Sequence, residues 1–99
     1  MLFYVQMRWN IEGRISLDDV WALEVQEAKA VSDKVKIVSM YKVAGQRRVI
    51  AIGEWESADD LDRTFLGRLP LREYLDIEAI WPLRTFESFL EDCERSFEV

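Results

Sequence analysis

The feature that most constrains this chain is the order in which its hydrophobic period changes along the sequence. Residues 2–9 alternate, with Phe3, Val5, Met7 and Trp9 on one side and Tyr4, Gln6 and Arg8 on the other, which predicts a first strand. A loop over 10–14 follows. Ser16, with Asp19 three residues later, then forms a capping-box-like start to a helix running from about Leu17 to Ser32. Its apolar stripe is read as Leu17, Val20, Trp21, Ala28 and Val31, with Glu24 inside the band. Residues 35–43 alternate again, placing Ile37, Ser39, Tyr41 and Val43 against Lys36, Val38, Met40 and Lys42. The short Ala44-Gly45-Gln46 connection leads to a third strand from Arg48 to Trp55, so these two strands form a hairpin. Ser57, with Asp60 three residues on, caps a second helix that buries Ala58, Leu61, Phe65 and Leu69 until Pro70 stops it. A fourth strand, Leu75 to Trp81, sets Leu75, Ile77, Ala79 and Trp81 against Asp76, Glu78 and Ile80.

The order β-α-β-β-α-β is that of the ferredoxin-like α+β arrangement, a four-stranded antiparallel sheet with both helices on one face. Ninety-nine residues hold one such domain, expected over 1–83. The other sheet face is then bare, and Tyr4, Val38, Met40, Val49, Ala51 and Ile80 are assigned to it. Together they are too apolar to stand in water, which predicts a covering partner sheet and a homo-oligomer of the dimeric α+β barrel type. The tail, 84–99, carries Phe86, Phe89, Leu90, Cys93 and Phe97 at helical spacing with acids between them. It reads as a helix docking on its own or a neighbouring subunit, with Cys93 a small hydrophobe.

Composition narrows the function. Nineteen acidic against thirteen basic residues give a net charge of −6, which sets the average field against nucleic acid. No apolar run approaches the roughly 18 residues of a membrane span. One cysteine cannot form an internal disulfide, and the chain opens on a strand-like segment, so the expected compartment is the cytoplasm. The chain has no histidine, so a general base must be a carboxylate, tyrosine, lysine or Cys93, and a metal-ligand cluster is not expected. Glu24 is the sharpest candidate: a carboxylate within an apolar stripe responds to burial with a raised pKa, suited to acid–base work. The competing reading is a structural ion pair. Trp21, one turn earlier, walls the same space or is plain core. Ser39 and Tyr41, if they share a face with Ile37, offer hydroxyls across from Glu24, or are simply hydrogen-bonded core groups. Arg48, with Arg47 and Lys42, forms a small positive cluster able to hold a substrate carboxylate, or else to pair with surface acids.

Three patches resemble a known family. Leu69-Pro70-Leu71 followed by Tyr74-Leu75-Asp76-Ile77-Glu78, the opening Met1-Leu2-Phe3 with Val5 and Met7, and the Val43-Ala44-Gly45 turn are similar to muconolactone delta-isomerases. The likeness follows the element order over about residues 1–83. It implies large homo-oligomers, from dimers up to decamers, no cofactor or metal, and a proton shift in an unsaturated lactone during aromatic catabolism. Aligned through the Ala44-Gly45 turn, Glu24 falls on a glutamate of the family's first helix. The departures are Trp21 for a lysine, Tyr4 for a histidine, and Ile37 and Val38 for a tryptophan and an arginine.

The expectation is therefore an isomerase-like enzyme acting on a small cyclic compound, with Glu24 and Tyr41 catalytic and Trp21, Ser39 and Arg48 binding substrate. Two other readings keep the same element order. One is a cofactor-free monooxygenase or cyclase that holds a flat substrate with Trp21, Tyr41 and Trp55. The other is a non-catalytic ligand-binding or assembly subunit.

Overall fold

The computed structural model describes residues 1–31 and 36–98, with the side chains of residues 30 and 31 left aside. The elements are β1 (Leu2–Trp9), α1 (Leu17–Val31), β2 (Lys36–Lys42), β3 (Arg48–Glu54), α2 (Ala58–Arg63), β4 (Leu75–Leu83) and α3 (Phe86–Glu94). The strands form one antiparallel sheet in the order β2-β3-β1-β4, the α+β arrangement expected from the element order. Ser32 and Val35, the expected end of the first helix and start of the second strand, lie outside the described residues. No helix among the described residues is long and apolar enough to cross a membrane.

Local chemistry sets the helix starts. Ser16 Oγ accepts the backbone N–H of Asp19 at 3.2 Å, and Ser57 Oγ that of Asp60 at 3.1 Å, each satisfying a donor that the first turn leaves free. Beyond Arg63 the helix widens into a π turn over Thr64–Arg68, closed by Leu69 N–H donating to Thr64 O at 3.3 Å. Pro70 then prevents continuation. The core lies between sheet and helices, where Val5, Val20, Trp55 and Leu71 are almost wholly buried.

Two β-bulges correct the expected strand faces. On β2 the register shifts between Ile37 and Ser39, so Ile37 opposes Gly53, Met40 opposes Ala51, and Ser39 and Tyr41 oppose Ile52 and Ile50. The extra residue at Val38 reverses the alternation: Met40 turns to the helix side, and Ser39 and Tyr41 to the bare side. On β4 a shift between the partners of Gln6 and Met7 places Ile80 opposite Val5, again on the helix side, and Trp81 opposite Tyr4 on the bare side. Val49 and Ala51 are buried beneath the helices. Of the six residues assigned to the bare face, four thus face the helix layer and Val38 sits at a bulge, while Tyr4 keeps its place. The bare face is instead a stack of Tyr4 on Trp81, ring centroids 4.9 Å apart, beside a polar network centred on Glu78.

Beyond β4 the chain leaves the body. Phe86, Phe89 and Phe97 pack mainly on one another, at centroid separations of 5.6 and 5.9 Å, and all three are exposed. Thr85 caps this helix, accepting from Ser88 N–H, and Arg84 pairs with Asp92 at 2.6 Å. Cys93 is exposed as well. The radius of gyration is 16.1 Å, against roughly 13 Å for a compact chain of this length. The projecting arm accounts for the excess.

Candidate active site

The inner face of α1 carries two carboxylates one turn apart. Helices present residues three apart side by side, and Val20 and Leu23 turn Glu24 and Glu27 toward the core. Glu24 is half-buried, and its Oε1 accepts the indole N–H of Trp9 at 3.0 Å. Glu27 is only 5% exposed, and its Oε1 accepts the backbone N–H of Leu71 at 3.3 Å. Since Pro70 has no N–H, Leu71 offers the first donor after the turn that follows α2.

Burial raises the Glu24 carboxyl above the ordinary glutamate range, and the Trp9 hydrogen bond opposes the rise. Glu27 is pushed further, to about 7: burial acts most, the negative charge of Glu24 adds to it, and the Leu71 N–H works against both. Two acids in one helix face thus acquire different proton affinities, and the deeper one titrates near neutrality.

Glu27 lines a narrow cavity of about 20 Å³ between helix layer and sheet, walled by Met7, Ile37, Met40, Ala51, Trp55, Thr64, Phe65 and Leu69. Trp55 is held in place twice. Its indole N–H donates to Thr64 Oγ1 at 3.1 Å, and its ring lies over Gly53, where a Cβ would come within 2.9 Å of it. Trp55 also borders a wider cleft of about 470 Å³, lined in addition by Met1, Lys36, Glu54, Glu56, Asp60 and Arg68. Its two cationic side chains pair with its own acids, Lys36 with Glu54 at 3.7 Å and Arg68 with Asp60 at 2.9 Å. The narrower, mostly apolar cavity beside Glu27 is therefore the better candidate for proton chemistry.

Of the residues singled out from sequence, the structure brings Glu24 and Trp55 to this place. Trp21 is 56% exposed on the outer side of α1, with Leu17 and Ala28 also exposed, because the helix is rotated by about one residue from the expected stripe. Ser39 and Tyr41 lie on the opposite side of the sheet, Tyr41 62% exposed, so the expected hydroxyls across from Glu24 do not form. Arg48 is on that side too, its guanidinium bound in two places to Glu78, at 2.9 and 3.1 Å. Glu27 was missed. An arc anchored on Val20 and Leu23 reaches position 27 at the next turn, but which arc of the helix faces the core is set by what packs against it.

Among the described residues no group of three His, Cys, Asp or Glu side chains could hold a metal ion. A family model described as muconolactone delta-isomerase matches residues 1–88. Among solved structures, the chain is similar to a crystal structure of muconolactone isomerase at 3.3 Å resolution, with a TM-score of 0.68 and 22% identity over 89% of this chain and 93% of that one. At that identity the likeness concerns the fold. A search of curated proteins found no match.

Proposed function

This chain belongs to the muconolactone delta-isomerase family, and from that premise we propose that it moves a proton within a small unsaturated lactone, with Glu27 as the acid–base group. The observation carrying the reading is the burial of Glu27 in an apolar cavity beside a second carboxylate, where its pKa is pushed up to about 7. In its ionised form Glu27 takes a proton from the carbon next to the conjugated system. The C–H electron pair delocalises onto the carbonyl oxygen as an enolate. The new carboxylic acid returns the same proton to the other end of the system, and the carbon–carbon double bond ends one position away. No redox partner is needed, and the dry walls keep water from the enolate.

Glu24 is the electrostatic neighbour in this scheme. Its charge adds to burial in favouring the protonated form of Glu27. The oxygenase reading required Trp21, Tyr41 and Trp55 to grip one flat substrate, yet they occupy the outer helix face, the bare sheet face and the core. We extend the proposal to assembly. A nine-residue helix is too short to persist alone in water, and α3 with the turn after it leaves Phe86, Leu90 and Phe97 exposed, so a neighbouring copy of the chain covers the arm.

The test is the ultraviolet change of muconolactone on isomerisation, followed for the wild-type chain and for Glu27→Gln. The amide keeps the shape and removes the titrating group. A loss of at least about a hundredfold in kcat, with the fold intact, supports the reading. Retained turnover overturns it.

A further inference from the structure

The cavity beside Glu27 has room for about one water, whereas pockets that enclose an organic ligand start at roughly 300 Å³. A ring therefore enters only if a wall moves. Most walls are fixed. Trp55 is pinned by Thr64 and by the notch at Gly53, Phe65 and Leu69 are buried residues of the π turn and its end, and Met7 and Ala51 belong to the two central strands. Ile37 and Met40 lie on β2, an edge strand that pairs with β3 and, among the described residues, has no strand on its other side. Ile37 is β-branched and its Cδ1 presses over Gly53. Met40 is the most exposed of the lining residues, at 47%, yet the bulge at Val38 turns it to the helix side. It is unbranched, with three rotatable bonds and a soft thioether.

We propose that Met40 is the movable wall of the Glu27 cavity and determines the size of ring the cavity takes. Its side chain swings outward past the edge of β2 as an apolar ring slides between Met7 and Trp55, and closes over the far side of the ring. The group taken is a small, flat, largely apolar ring, since apart from Glu27 the polar side-chain groups of the lining are the Trp55 indole N–H and the Thr64 hydroxyl, and both donors are already engaged, the first by Thr64 Oγ1 at 3.1 Å and the second by Asp60 O at 2.9 Å. The inference rests on the isomerase reading only for the identity of the substrate.

The experiment uses the full chain labelled with ¹³C at the methionine methyls of Met1, Met7 and Met40, titrated with benzene. The Met40 and Met7 signals should shift saturably while Met1 stays put. Met40→Ala should bind benzene at least about tenfold more tightly than Met40→Ile, whose branched side chain suits a strand but cannot swing. An unmoved Met40 signal, or equal affinity in the two variants, overturns the proposal. With lactones, the preference in kcat/KM for a methyl-substituted muconolactone over muconolactone should be about tenfold higher in Met40→Ala than in Met40→Ile, with an unchanged pH profile. If the benzene results hold and the wild-type chain turns over neither lactone, the wall stands and the isomerase reading falls. If lactones are turned over and the preference is the same in both variants, the wall falls and the isomerase reading stands.

Discussion

The Glu27 carboxylate and the Leu71 backbone N–H, 44 residues apart in sequence, meet at 3.3 Å and tie the middle of the first helix to the turn that follows α2. The Leu69-Pro70-Leu71 stretch is thus more than a helix stop. It supplies a hydrogen bond that lowers the proton affinity of an otherwise desolvated acid.

That acid makes stability depend on pH. The folded pKa of Glu27, about 7, lies above the ordinary 4.5, so the folded state holds the proton more tightly. The stabilisation is complete below about pH 4.5 and is lost as pH rises through 7. Glu27→Gln never ionises and should escape the loss. Urea denaturation at pH 5 and pH 8 should show wild type losing on the order of 3 kcal/mol relative to the variant. Equal slopes with pH would mean that Glu27 is ionised at no cost.

Glu24→Gln should shift the activity profile toward acid. Removing the neighbouring negative charge takes away one cause of the raised Glu27 pKa and leaves burial as the other. The limb of kcat/KM that rises with pH should move to lower pH, while the plateau changes less than in Glu27→Gln. A profile that stays in place would show that the two acids do not interact.

Gly53→Ala should disturb the cavity from below. A Cβ there would come within 2.9 and 3.0 Å of the Trp55 ring and 3.2 Å of Ile37 Cδ1, and the ring is held by Thr64 and cannot yield freely. A cost of about 1–3 kcal/mol is expected in chemical denaturation. Near-ultraviolet circular dichroism should also change as Trp55 tilts. A variant as stable as wild type, with the same spectrum, would show a looser packing around Trp55.

Phe89→Asp should release the arm. Phe89 sits between Phe86 and Phe97, and an added charge in an already acidic helix opposes burial against another subunit. Sedimentation should show a lower mass than for wild type, with the body of the chain still folded. An unchanged mass would place the subunit contacts elsewhere.

Much of this protein was legible one segment at a time. Ser16 and Ser57 cap their helices through residues three positions away, Pro70 ends a helix by its own ring, and the Gly45 turn joins adjacent strands. Such features depend on a few neighbouring residues, so sequence alone determined the order of elements and, through it, the α+β arrangement. The bulges at Val38 and Glu78, the rotation of α1 and the inward turn of Met40 depend on residues far apart: the partners that Gly53, Ala51 and Val5 offer across the sheet. A one-residue slip in register reverses every side chain beyond it, and a shift of one residue turns a helix face by about 100°. Only the tertiary structure could therefore choose Glu27 as the buried acid, because burial is decided by what packs against a side chain, and for Glu27 that is a strand pair and a turn the local sequence does not contain.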